Sequence, residues 1–161
     1  MNSMGTSKLK RLGSTIQLMM LRRLLINYKE LSNKDDGKLK IRIREVMDNY
    51  ILFTSEFGSG RALWNGNQPA LDQEYHVEAE ILETLTWLKE VMLNSISESK
   101  IVFNNGVITI AGVLESVDED GFSVIRIGDS IIPVMINGAN EYVGRHIKAI
   151  VTEITLFDQN Y

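Results

Sequence analysis

The stretch from Lys100 to Tyr161 constrains this chain more than any other. Its β-branched runs, Val107 to Val117, Phe122 to Ile127, Ser130 to Ile136 and Arg145 to Phe157, are short and separated by Asn, Asp and Gly. Residues branched at Cβ fit a pleated, half-buried surface, and Gly, Asn and Asp tolerate the positive φ that tight turns need. The pattern predicts a small antiparallel sheet or barrel.

A second β region lies ahead of it. From Lys38 to Val46 the chain alternates, with Leu39, Ile41, Ile43 and Glu45 in one register and Lys40, Arg42 and Arg44 in the other. That is a half-buried strand with a basic outer row. Strands are also expected at Tyr50 to Glu56 and Arg61 to Trp64, around a Phe57-Gly-Ser-Gly60 turn. Tyr75 to Asn94 is ambiguous. Val77, Ile81, Leu85, Leu88 and Met92 are spaced for a helix, while Val77, Ala79 and Ile81 alternate with Glu78 and Glu80 as in a strand.

An internal repeat favours the strand. The segment His76 to Trp87 lines up with His146 to Phe157, 70 residues on, and Leu63-Trp-Asn-Gly66 lines up with Met135-Ile-Asn-Gly138 after a two-residue shift. Near the N-terminus, Ser14-Thr-Ile-Gln17 forms a capping box ahead of an amphipathic helix running to about Leu31. The expected fold is therefore mainly β with an N-terminal α-helix and two tandem small antiparallel β-barrels, OB-like or SH3-like. Its parts are a basic tail and helix (1–37), a first barrel (38–87), a linker or short helix (88–99) and a second, OB-like barrel (100–161).

Trp64-x-Gly66-x-x-Pro69, Val77-Glu78-x-x-Ile81, Trp87, Gly128-Asp-Ser130 and Leu156-Phe-Asp-Gln-Asn160 carry a resemblance. Over about residues 38–161 the chain resembles a group of small, uncharacterised bacterial β-rich proteins. The resemblance implies a β fold, carries over no active site, and by analogy suggests an immunity or defence-associated partner role.

Chemistry is sparse. There is no cysteine, which removes disulfides, thiolate metal sites and cysteine nucleophiles together. The two histidines, His76 and His146, fall at strand starts and read as structural. Asp118-Glu-Asp-Gly121 has consecutive acids, unlike the alternating ligands of a calcium loop, and reads as a hairpin turn. Phe57-Gly-Ser-Gly-Arg61 lies between strands, where a phosphate cradle opens a helix. The expectation is no catalytic residue, no cofactor and no metal. The longest apolar runs, such as Leu18 to Leu21, are too short to span a bilayer, so a cytoplasmic location is expected.

Charge is uneven. Residues 1–50 carry 11 Lys and Arg against 5 Asp and Glu, residues 51–99 carry 2 against 8, and residues 100–161 carry 4 against 8. Two candidate surfaces follow. Glu78, Glu80, Glu83, Asp118, Glu119 and Asp120 form a candidate acidic face for a basic protein partner. Arg22, Arg23, Lys40, Arg42 and Arg44 form a candidate basic contact, with Tyr50, Phe53 and Trp64 available for stacking on single-stranded nucleic acid. The first expectation is a non-enzymatic protein-interaction module, such as an immunity- or antitoxin-like inhibitor of a basic effector. The alternatives are a single-strand nucleic-acid binder, or an assembly subunit that docks through its N-terminal helix.

Overall fold

A computed structural model describes residues 37–158. The helix expected over Ser14 to Leu31 lies outside them. The described chain is almost wholly β: β1 (Leu39–Met47), β2 (Tyr50–Ser55), β3 (Gly58–Asn65), β4 (Glu74–Glu80), β5 (Thr84–Thr86), β6 (Val91–Leu93), β7 (Lys100–Asn104), β8 (Val107–Val117), β9 (Phe122–Ile127), β10 (Ser130–Asn137), β11 (His146–Val151) and β12 (Thr155–Asp158). One turn of 3-10 helix, Asn140–Tyr142, precedes β11. No helix among the described residues is long and apolar enough to cross a membrane.

The alternation read in β1 holds: Leu39, Ile41 and Ile43 are buried and Lys40 and Arg44 exposed. Glu45 departs from its expected register because β1 bulges between Ile43 and Glu45, and the extra residue turns Glu45 outward. β1 pairs antiparallel with β2 and β4, β2 with β3, and β12 closes the ring by running parallel to β3 and antiparallel to β4. The result is a closed five-stranded barrel in the order β1-β2-β3-β12-β4. Closure matters physically, because it removes the sheet edges that would template aggregation.

Of the remaining strands, β8 to β11 repeat this plan, while β7 pairs antiparallel with β8 and meets β3 at Gly58–Ile101. β8 bulges between Leu114 and Ser116 and pairs antiparallel with β9 and β11, and β9 pairs with β10. β5 then runs parallel to β10, β6 runs antiparallel to β11, and a single Trp87–Val91 bridge links the two short pieces. Matching the ladders puts Ile43, Phe53 and Gly60 against Leu114, Ile125 and Ile132. In the same way Val77, opposite Leu39, matches Ala149, opposite Ile110.

These matches correct the repeat. It is real, but its spacing in the fourth strands is 72 rather than 70, so His76, opposite Lys40, is equivalent to Lys148, opposite Ala111, and not to His146. The spacing seen in Leu63–Gly66 against Met135–Gly138 is the one that holds, because the connections before β4 and β11 have equal length. Both connections are tied down identically. Asp72 and Gly144 donate backbone N–H groups to the carbonyls of Ile43 and Leu114, at 2.8 and 2.7 Å.

Two further expectations are corrected. Residues 38–87 do not make a barrel by themselves: the fifth strand of the barrel is β12, while Thr84–Thr86 closes against β10. In place of two contiguous tandem barrels, the strands of residues 84–151 lie between the fourth and fifth strands of one closed barrel. The linker over 88–99 is no helix either; it contributes β6. The ambiguity over Tyr75 to Asn94 resolves as the repeat suggested, in favour of strands: β4, β5 and β6 occupy it.

Candidate functional site

The predicted basic row sits on the outside of β1, and it is neutralised there. Glu74 pairs with Lys40 at 3.4 Å and with Arg42 at 2.7 Å, and Arg44 lies 3.6 Å from Asp72. The Arg42 guanidinium also donates to the Asp72 carbonyl, at 2.6 Å. The ammonium of Lys40, with Arg42 beside it, holds the Glu74 carboxyl below its ordinary value. Arg22 and Arg23 lie outside the described residues. Phe53 is buried in the barrel and cannot stack on a ligand.

The predicted acidic face is scattered. Glu80 is fully buried and Glu78 half-buried on β4. Both Glu83 carboxylate oxygens accept hydrogen bonds from Thr152, one from its backbone N–H at 2.6 Å and one from its hydroxyl at 2.8 Å. Asp118, Glu119 and Asp120 form the β8–β9 hairpin turn. The Asp118 carboxylate accepts the N–H groups of Asp120 and Phe122, both at 2.9 Å, which is the Asx-turn bonding that Asp favours. The ladder from Phe122 through Met135 to Thr84 separates this turn from Glu83 by two strand spacings, roughly 10 Å. Among the described residues no cluster of three His, Asp or Glu side chains is arranged to hold a metal ion.

The site that the structure does build is the mouth of the closed barrel. A cavity of about 560 Å³ opens between the β1–β2 turn and the β3–β4 connection, lined by Val46, Met47, Asp48, Tyr50, Ile51, Trp64, Gln68 and Pro69 among others. Val46 pairs with the inward-facing Ile51, and Trp64 follows the inward-facing Gly60 and Ala62, so all three stand on the barrel's interior side at its end. Local bonds fix this geometry. Trp64 donates its backbone N–H to the Asn49 carbonyl at 3.3 Å and its indole N–H to the Asn67 carbonyl at 2.6 Å. Its ring meets Tyr75 edge-on at 5.1 Å, and the Tyr75 hydroxyl accepts the Ala70 N–H at 2.8 Å. Gly66, at φ 144°, is required here, since a Cβ on it would come within 2.9 Å of the Asp158 Cβ.

The rim carries exposed apolar surface, with Val46 36% and Met47 39% exposed. Asp48 is the charged side chain among the lining residues, and neither Lys nor Arg lines the cavity. On the outer wall, Arg61 lies over the rings of Tyr50 and Phe103, at 5.1 and 5.0 Å. Tyr50 reaches Glu153 through its hydroxyl at 3.4 Å.

Sequence reasoning named Tyr50 and Trp64 as stacking candidates but missed the mouth. The available signal was the Trp64-x-Gly66-x-x-Pro69 cluster, whose indole and buried Pro69 shape the cavity wall. No family model, curated protein or solved structure matches this chain.

Proposed function

We propose that the chain is a non-enzymatic protein-interaction module that takes an apolar or aromatic side chain of a basic protein segment into the barrel mouth. The five-strand order, with its parallel contact between third and last strands, fits an OB-like barrel. Barrel mouths are among the usual places for ligand sites, and about 560 Å³ lies within the usual range for them. The observation that carries the reading is the open mouth, with Val46 at its rim, Trp64 in its wall and Asp48 at its edge. Charge points to the partner's sign: residues 37–158 hold 10 Lys and Arg against 18 Asp and Glu. An inhibitor of a basic effector, of the immunity or antitoxin kind, is the narrower form of this proposal.

Nucleic-acid binding is the second reading, favoured by Arg61 between Tyr50 and Phe103 on the outer wall. The ion pairs of Lys40, Arg42 and Arg44 with Glu74 and Asp72 weigh against it, because phosphates would have to displace them.

The test is Trp64 emission in a Trp87→Phe background, titrated with the peptides Lys-Lys-Phe-Lys-Lys and Glu-Glu-Phe-Glu-Glu and with oligo(dT). A saturable shift with the basic peptide alone, abolished by Val46→Arg at the rim, is expected. A response to oligo(dT) and not to the basic peptide would replace this reading with the second.

A further inference from the structure

The closing strands of the two strand sets are exchanged. Thr155, Leu156 and Phe157 sit against Leu63, Trp64 and Asn65, and Thr84, Leu85 and Thr86 sit against Met135, Ile136 and Asn137. Because Leu63–Asn65 and Met135–Asn137 are equivalent, so are the two closing strands. Each follows the fourth strand of one set after a three-residue connection, 81–83 or 152–154, and each closes the other set. The connections therefore cross, and Glu83 meets Thr152 at the crossing with the bidentate bonds of 2.6 and 2.8 Å. A small cleft of about 150 Å³, lined by Leu82, Glu83, Thr152, Glu153 and Thr155, marks the spot.

We propose that the Glu83–Thr152 contact is a lock that keeps this exchange within one chain, and that the seat between β3 and β4 accepts β12 of a second copy when the lock is opened. The physical case has three parts. An exchange between copies preserves every pairing of β12, since the acceptor strands are the same in each copy, so the two closures differ in the connection rather than in the strand contacts. The connection is where Glu83 acts, holding the backbone N–H and the hydroxyl of one residue together and so fixing the direction in which the chain leaves β11. The seat itself is specific, because Leu156 is fully buried opposite Trp64 and Phe157 nearly so. A second copy is thus the partner that fits the seat without new chemistry. Glu83 is a positioning residue here, and its carboxylate is engaged in the lock instead of forming part of an acidic face.

The test uses full-length chains. Ser59, exposed on β3, is replaced by cysteine (Ser59→Cys), which is the only thiol because the natural chain has none. Donor- and acceptor-labelled batches are unfolded, mixed, refolded over a range of concentrations, and read by energy transfer and light scattering. The wild-type lock is expected to give monomers, with Glu83→Ala raising the dimer fraction at least fivefold at the same concentration. Glu83→Gln, which keeps an acceptor for the Thr152 N–H, is expected to fall between them. A Glu83→Ala protein that stays monomeric, or a wild type that dimerises to the same extent, overturns the proposal. Loss of thermal stability without a change in dimer fraction also overturns it, since a merely structural hydrogen bond would give that result.

Discussion

The two strand sets share a plan down to individual hydrogen bonds, yet one mouth is open and the other is covered. Trp64 N–H bonds to Asn49, and its equivalent Ile136 N–H bonds to Gly121 at 2.9 Å. Val46, Trp64 and Tyr75 in the barrel correspond to Val117, Ile136 and Ile147, of which the last two are fully buried. The difference comes from the connections. In residues 138–145, Ala139 is fully buried and Tyr142 stacks on Trp87 at 4.1 Å, so the loop supplies its own cover. At the place of Tyr142, the connection of residues 66–73 has the exposed Ala70. Equal loop length with different side chains shows that scaffold and access are set separately. A cover costs a site, and the copy without one is the copy to test for binding.

Five experiments break or sharpen this comparison. The largest effect is expected from Leu156→Ala and its counterpart Leu85→Ala, each removing a fully buried side chain from a closing strand. Each loses about 2–5 kcal/mol in urea unfolding. Both are expected to shift one shared transition, because each closing strand belongs to the other set; two separate transitions would show that the sets fold independently. Next, Tyr142→Ala removes the cover of the second mouth, with a loss of about 2 kcal/mol and a red shift of Trp87 emission. The reverse graft, Ala70→Tyr, should close the first mouth and abolish the peptide response of Trp64 while the far-ultraviolet circular dichroism stays unchanged.

The bulges give a smaller contrast. At equivalent positions Arg44 donates to the Thr54 hydroxyl at 3.1 Å, while Arg126 makes two bonds to Glu115, at 2.9 and 2.8 Å. Paired and mostly shielded, Arg126 should cost about 1–2 kcal/mol on substitution by Ala, against less than about 0.5 kcal/mol for Arg44→Ala, both read from urea midpoints. The smallest effect concerns Glu74. Its carboxyl is held below the ordinary value of 4.5 by Lys40, so the stabilisation exists above that pH and fades as pH falls through the depressed value. Lys40→Met should move the Glu74 titration upward toward 4.5, followed by its side-chain carboxyl resonance. An unmoved titration would show that Arg42 suffices.

The sequence revealed the strands and the duplication, because alternation and turn residues are local. β1 was legible from Leu39, Ile41 and Ile43, and the Asp118–Gly121 turn from its composition. The bulge at Glu45 was not, since an inserted residue changes register without leaving a residue type behind. The exchange was also hidden, and for a more basic reason. Thr84-Leu-Thr86 and Thr155-Leu-Phe157 are alike in sequence and stand against equivalent strands, so nothing local says which segment fills which seat. The mouth escaped notice because its openness depends on a missing aromatic, at Ala70, whose significance appears only beside Tyr142 in space. Of the candidate basic residues, Lys40, Arg42 and Arg44 lie along β1, and their acidic partners Asp72 and Glu74 come from beyond β3 in sequence.

The crossing of the two connections also sets a timetable for synthesis. As the chain leaves the ribosome, β1 to β4 emerge first, yet their ring stays incomplete until Thr155–Asp158 has been made. Thr84–Leu93, by contrast, is waiting before the strands it will close against exist. Early in translation the nascent chain therefore carries an unfilled slot and an unplaced strand together, and they are the wrong pair for the finished molecule. Pairings this distant in sequence form slowly. The barrel can close only after β12 has cleared the exit tunnel, so its ring cannot be completed strand by strand as β1 to β4 emerge.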